Sequence, residues 1–99
     1  MENILSKKVE ELLKETPLYS TDGVELEDKK VICKFFTPFS YWAWYVFEGD
    51  KLSNGDWEFF GMVNGFDKEM GYFCLSELKS VGAICDEKIF NKPYKEIDI

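Results

Sequence analysis

The seventeen residues from Val31 to Phe47, VICKFFTPFSYWAWYVF, constrain the fold of this chain more than any other stretch. Eight of them are Phe, Tyr or Trp, and most of the others are β-branched or small and apolar, which is typical of strands rather than surface loops. Pro38 interrupts the run, because proline has no backbone N–H to donate to a sheet. The sequence therefore predicts two strands, at about Val31–Phe36 and Trp42–Glu48, joined by the turn TPFSY.

The second of these strands is apolar on both faces, since alternate side chains of a strand point in opposite directions. Its two faces carry Trp42, Trp44 and Val46 on one side and Ala43, Tyr45 and Phe47 on the other. Such a strand is expected at the centre of a sheet and covered on both sides, or with its second face against a partner.

The remaining pattern supplies helices and further strands. Residues 3–15 have helical periodicity, with an apolar side formed by Leu5, Val9, Leu12 and Leu13. Strands are predicted at Trp57–Asn64 and Tyr72–Leu75, where Gly61 suggests a bulge or room for a large ring. A short helix is expected at 76–82, with Ser76 as N-cap and Gly82 as its end, followed by a short edge strand at 87–90.

These elements predict one α+β domain, residues 1–99, with an antiparallel meander sheet of four to five strands and the N-terminal helix packed on one face. We expect the core to contain the larger apolar residues of the strands, namely Phe36, Trp44, Phe59, Val63, Phe73 and Leu75.

The charge of the chain limits its chemistry. Net charge is −7, all twelve basic residues are lysines, and there is no arginine or histidine. The chain therefore has no bidentate fork for phosphate and no imidazole base or metal ligand. This composition argues against broad nucleic-acid binding and favours a protein partner with a basic surface. The charged start and three cysteines without C-x-x-C spacing indicate a cytoplasmic protein. No apolar run approaches the roughly 20 residues of a membrane span, so no membrane association is expected.

Two acidic segments, 19–28 and 48–58, and the aromatic turn TPFSY supply the candidate binding residues. The acidic segments would steer a basic partner, and an exposed aromatic residue of the turn would anchor it. The predicted binding residues are Asp22, Glu25, Glu27, Phe39, Tyr41, Glu48, Asp50 and Asp56.

Two other interpretations of these residues remain. Glu48, Asp50 and Asp56, with Glu58, would converge at one end of a meander sheet and would hold Mg²⁺ or Ca²⁺. Their spacing matches no calcium loop, however, and acidic hairpin ends are commonly just solvated. The aromatic residues would make a base-stacking platform, but such platforms lie in basic grooves, so core packing is favoured. We predict no catalytic residue, metal site or cofactor.

Three quoted stretches carry a resemblance to a known family: LYSTDGVELEDKKVICKFFTP, WAWYVFEGD and DWEFFGMVNGFDKEMGYFCLSEL. They cover about Leu18 to Leu78 and resemble a small family of unknown function found on plasmids, phages and integrative elements. Its pattern includes the LYST start, the KFFTP turn, a W-x-WY strand ending in EG, FFG-x-V-x-G and GYF-x-L-x-EL. Members often neighbour anti-restriction genes, so the resemblance implies an accessory or anti-defence role, without implying any catalytic residue.

Charge and resemblance together lead to one expected function and two alternatives. The expected function is non-enzymatic inhibition, of the anti-CRISPR type, of a basic nucleic-acid-handling protein in the bacterial host, such as Cas9 or its guide complex. The first alternative is a metal-dependent enzyme that acts on nucleic acid through clustered carboxylates. The second is an interaction module of plasmid or phage replication or transfer machinery.

Overall fold

The computed structural model describes residues 5–86, 88 and 91–97, and it has a mixed α+β fold. Its elements are, in chain order, α1 (Lys7–Lys14), β1 (Lys30–Val31), β2 (Cys33–Phe36), β3 (Ala43–Lys51), β4 (Trp57–Asn64), β5 (Lys68–Cys74), α2 (Leu75–Ser80), β6 (Ile84–Asp86) and β7 (Lys92–Pro93). One antiparallel sheet has the order β5-β4-β3-β2-β6, and β1 pairs with β7 in a second, two-stranded sheet. The predicted fold class is confirmed.

The boundaries follow the sequence prediction closely in some elements and depart from it in others. Strand β4 begins and ends as predicted, whereas the predicted strand at 31–36 is divided, because its start pairs with β7 and the rest pairs with β3. The fifth strand of the main sheet is β6, beside β2. Of the predicted edge strand at 87–90, residues 87, 89 and 90 lie outside the described residues.

Strand β3 is central in the main sheet and is covered on both faces, as predicted. On the α1 side, Val46 packs in a core that also contains Phe35, Phe59, Phe73, Leu5, Val9, Leu13, Leu75 and Leu78. On the other side, Tyr45 and Phe47 pack with Val31, Ala43 and Met62, and with Tyr94 above them. Of the predicted core residues, Phe59, Phe73 and Leu75 are buried, while Phe36, Trp44 and Val63 are half-buried.

A β-bulge at Phe47 changes the direction of the residues that follow it. Val46 pairs with Gly61, but Glu48 pairs with Phe60, so Phe47 is an extra residue in β3. A Cβ on Gly61 would lie only 1.8 Å from the carbonyl oxygen of Tyr45, which explains why glycine stands opposite the bulge. Because residues paired across strands share a face, Glu48 lies on the face of Phe60 and away from α1.

Neither of the α-helices in the described part of the chain is long and apolar enough to cross a membrane.

Helix α1 starts at the N-cap Ser6, whose hydroxyl accepts a hydrogen bond from the backbone N–H of Val9 at 3.2 Å. Thr16, two residues after the end of α1, contacts the sheet: its carbonyl accepts a hydrogen bond from the N–H of Gly49 in β3 at 3.1 Å. Helix α2 is followed by Gly82 in the left-handed conformation (φ 73°), as its predicted role requires.

Candidate protein-binding surface

Three connecting segments meet at one end of the main sheet. The β2–β3 turn follows Phe36 and the β4–β5 turn follows Asn64, and both of these residues pair with Ala43. Ile84 pairs with Phe36 from the other side, which brings the start of β6 to the same place. We call this region, residues 37–42, 64–67 and 81–84, the aromatic end.

The aromatic end exposes large apolar side chains almost completely. Phe39 is 100% exposed, Tyr41 97% and Phe66 94%. Single exposed apolar residues are common on protein surfaces, but several together usually mark an interaction site. Phe39 and Tyr41 are thus exposed, as expected from the sequence, and their role as anchors stays a prediction.

Trp42 forms the rigid base of this region. Its ring centre lies 5.9 Å from that of Trp44 and 5.5 Å from that of Phe66, the latter edge-to-face. A Cβ on Gly65 would approach the Trp42 ring to 2.4 Å, so glycine is needed for the ring to lie against the β4–β5 turn. Trp42 is therefore held in place by its neighbours, and the exposed side chains lie around it.

Polar contacts fix the conformation of the β2–β3 turn. The hydroxyl groups of Thr37 and Ser40 are hydrogen-bonded to each other, and the N–H of Trp42 donates to the Ser40 hydroxyl at 3.2 Å. The N–H of Thr37 also donates to the carbonyl of Trp42 at 3.3 Å. With its hydroxyl groups occupied internally, the turn holds Phe39 and Tyr41 on either side of Ser40 and directs them into solvent.

Beside the turn lies an open groove of about 740 Å³ with an almost entirely apolar lining. The residues that line it are Thr37, Pro38, Phe39, Ser40, Trp42, Trp44, Val81, Gly82 and Ile84. None of them is charged, but Asp67 and Glu69 lie on the far side of Trp42 in a neighbouring depression. The groove has the size of a typical ligand pocket and fits an apolar side chain of a partner.

The predicted residues of the first acidic segment are exposed. Asp22, Glu25 and Glu27 all lie on the surface, the latter two beside or within a 3-10 turn at Leu26–Asp28. Asp28 forms an ion pair with Lys95 at 3.0 Å. The three predicted carboxylates are thus placed where they can act on an approaching partner.

Unlike these exposed carboxylates, Glu48 is buried, with only 1% of the residue exposed. Its carboxylate accepts hydrogen bonds from the backbone N–H of Tyr19 at 2.7 Å, from the N–H of Thr21 at 2.9 Å and from the Thr21 hydroxyl. That hydroxyl accepts a hydrogen bond from Lys29 Nζ at 2.8 Å, so Thr21 lies between two opposite buried charges. Glu48 therefore fastens the first acidic segment to the sheet.

Asp56 also has a structural position. Its carboxylate accepts hydrogen bonds from the N–H of Trp57 at 2.8 Å, the N–H of Ser76 at 3.0 Å and the Ser76 hydroxyl at 2.7 Å. Desolvation alone would raise the pKa of Asp56, but these hydrogen bonds outweigh it and hold the pKa below its ordinary value. Asp56 thereby connects the β3–β4 hairpin to the first turn of α2, a contact that the sequence did not indicate.

The eight predicted binding residues do not form one cluster. Asp50, which is half-buried and pairs with Glu58, lies near the β3–β4 hairpin, at the opposite end of β3 from the aromatic end. The nine residues of β3 separate the two ends by about 27 Å. The structure brings Phe39 and Tyr41 together and leaves the two acidic segments elsewhere.

No model of a protein family matches this chain, and neither a curated protein nor a solved structure matches it. The resemblance to the plasmid and phage family remains a prediction from the quoted motifs.

The carboxylates near the β3–β4 hairpin are the candidate metal ligands of the alternative interpretation. Within residues 5–86, 88 and 91–97, no three Cys, Asp or Glu side chains are placed so that they would hold an ion. Glu48 and Asp56 already accept hydrogen bonds from protein donors. Burial and the nearby charges of Asp56, Glu77 and Glu58 raise the pKa of Cys74, which keeps this thiol protonated at neutral pH.

Proposed function

We propose that this protein is a non-enzymatic inhibitor that binds a basic, nucleic-acid-handling host protein through its aromatic end. The leading target is a CRISPR effector such as Cas9 in complex with its guide. One observation carries the proposal: in a chain of net charge −7, the fully exposed Phe39 and Tyr41 stand beside an apolar groove of about 740 Å³. Exposed apolar surface of this kind marks protein interfaces.

The aromatic anchors supply a large part of the apolar surface that specific binding needs. An aromatic side chain buries about 150–250 Å² in an interface, which at about 25 cal/mol per Å² contributes roughly 4–6 kcal/mol. Two such anchors, Phe39 and Tyr41, offset a large share of the roughly 4–15 kcal/mol that association costs. Because the turn is already fixed by Thr37 and Ser40, little further ordering is needed.

Charge decides which kind of partner fits the groove. Two copies of a chain with net charge −7 repel each other, whereas a basic surface attracts it. Asp67 lies in the aromatic end and Glu69 lies beside it, and the exposed carboxylates of the first acidic segment add to the negative field. Proteins that bind nucleic acids present such basic surfaces, and an acidic inhibitor competes with phosphates for them.

A DNA-cleavage assay tests this function. Added in excess to a Cas9–guide complex, the wild-type protein is expected to prevent cleavage of a matching DNA. Incubated with DNA and Mg²⁺ without the effector, it is expected to leave the DNA intact. An unchanged cleavage rate with the effector would exclude this target. Cleavage of DNA by the protein alone, lost in Asp50→Ala, would favour a metal-dependent enzyme instead.

A further inference from the structure

A second exposed aromatic site lies on the sheet face that points away from α1. Glu48, Phe60 and Tyr72 are cross-strand neighbours on β3, β4 and β5 and form a row on this face. The first acidic segment lies beside the row, fastened by Glu48. It brings the ring of Tyr19 to 6.3 Å from that of Tyr72, which in turn lies 5.0 Å from the ring of Phe60.

The two tyrosines are exposed but held in place. Tyr19 is 64% exposed and Tyr72 51%. Tyr19 has a left-handed backbone conformation (φ 73°), which a bulky residue rarely adopts, and its N–H donates to the Glu48 carboxylate at 2.7 Å. The Tyr19 side chain next to Tyr72, together with desolvation, raises the pKa of the Tyr72 hydroxyl. The ring faces are thus presented to solvent in a fixed arrangement.

The charges around the pair favour a cation. The carboxylates of Asp22 and Glu48 both act electrostatically on Tyr72, and Asp22 is exposed. Lys29 shows that a cation is accommodated in this row, since its Nζ lies 6.0 Å from the centre of the Phe60 ring. The ammonium group of Lys29 is itself hydrogen-bonded to Thr21, and Tyr19 and Tyr72 remain largely exposed.

We propose that Tyr19 and Tyr72, with the Asp22 carboxylate beside them, bind the guanidinium group of an arginine side chain on a protein partner. A guanidinium ion stacks on an aromatic face and donates hydrogen bonds in a fork that fits a carboxylate. A lysine ammonium is more strongly hydrated and does not stack, so arginine is preferred. Only the assignment of this arginine to a basic protein rests on the proposed function; the chemistry of the site does not.

A titration followed by nuclear magnetic resonance tests the site with a defined probe. Wild-type protein labelled with ¹⁵N is titrated at constant ionic strength with N-acetylarginine amide and, as an uncharged isostere, with N-acetylcitrulline amide. The backbone signals of Tyr19, Asp22 and Tyr72 are expected to shift and saturate with arginine, and to stay in place with citrulline. N-acetyllysine amide is expected to bind at least threefold more weakly.

Matched variants complete the test. Tyr72→Ala and Asp22→Asn are expected to weaken arginine binding at least fivefold, with dispersed spectra showing that both variants are folded. Glu11→Gln, which removes an exposed carboxylate on α1, is expected to bind as the wild type does.

Several results would overturn the arginine site. Equal shifts with citrulline, equal affinity in Tyr72→Ala, or shifts spread evenly over all acidic residues would do so. Saturable shifts with adenosine but not with arginine would assign the pair to base stacking instead. Because the probe is a free amino-acid derivative, failure here leaves the cleavage assay unaffected, and failure of the cleavage assay leaves this result standing.

Discussion

Glu48 and Thr21, 27 residues apart in the sequence, are joined by two hydrogen bonds: the N–H of Thr21, at 2.9 Å, and its hydroxyl both donate to Glu48 Oε2. Lys29 donates to the same hydroxyl at 2.8 Å, so a buried carboxylate and a buried ammonium are connected through one threonine. The bulge at Phe47 makes this connection possible, since it turns Glu48 away from the apolar core under α1. The acidic segment is thereby fixed on the sheet.

Replacing Glu48 is expected to destabilise the fold. Glu48→Ala leaves the N–H groups of Tyr19 and Thr21 and the Thr21 hydroxyl without their acceptor, and it removes the buried negative charge near Lys29. The loss should be about 3–5 kcal/mol. Urea unfolding measures this, and hydrogen exchange at Tyr19 and Thr21 should accelerate. The control Glu25→Gln, an exposed carboxylate, should change stability by less than about 0.5 kcal/mol. Equal stability of Glu48→Ala and wild type would refute the anchoring role.

Two glycines on neighbouring strands give a matched pair for testing the bulge. Gly61 and Gly71 are directly opposite each other in β4 and β5. A Cβ at position 61 would lie 1.8 Å from the carbonyl oxygen of Tyr45, whereas at position 71 nothing lies within 4 Å. Gly61→Ala should therefore lower stability by about 3 kcal/mol or prevent folding, and Gly71→Ala should leave it within about 1 kcal/mol. Similar melting temperatures for the two variants would contradict the packing at Gly61.

The lowered pKa of Asp56 predicts that its contribution to the free energy of unfolding depends on pH. Its pKa is lowered in the folded protein, so its contribution is present above the pKa of the unfolded chain and is lost as pH falls through the folded value. Asp56→Asn should cost about 1 kcal/mol at pH 7, as loss of a helix cap does, and progressively less as the pH falls below the pKa of the unfolded chain. Chemical denaturation over a series of decreasing pH values measures the difference, with Glu11→Gln as control. A constant difference between Asp56→Asn and wild type would show that the carboxylate charge is irrelevant.

The apolar residues on both faces of the strand after Pro38 were sufficient to predict the centre of the sheet, because strand preference and the missing N–H of proline act locally. Gly61 suggested a bulge or a close approach, but the sequence did not show that the extra residue is Phe47 in the neighbouring strand, because that strand is apolar on both faces and does not reveal where its alternation shifts. Glu48 was therefore grouped with exposed carboxylates. Strand β5 begins at Lys68, earlier than predicted, because pairing with β4 extends it through KEMG, which contains no β-branched or aromatic residue. Only the fold showed that Phe66 joins Phe39 and Tyr41.

The exposed carboxylates are the ones expected to accelerate association with a basic partner. Neutralising Asp22, Glu25 and Glu27 together should slow association with the Cas9–guide complex at low salt, because exposed rim charges act mainly on the on-rate. The variant and wild type should converge near 0.5 M salt, where the Debye length is about 4 Å. Glu48 and Asp56 are left unchanged, since their replacement would alter the fold. Equal association rates at low salt would show that these charges serve only solubility.

The affinity of aromatic-end variants for the Cas9–guide complex tests the central claim most directly. Phe39→Ser and Tyr41→Ser change fully exposed side chains and should leave the melting temperature unchanged. The double variant should bind at least about 30-fold more weakly, as the loss of two interface anchors predicts. Val24→Ser, at an exposed apolar residue outside the aromatic end, should bind as the wild type does. A double variant that binds as tightly as wild type would contradict the assignment of the aromatic end as the binding surface.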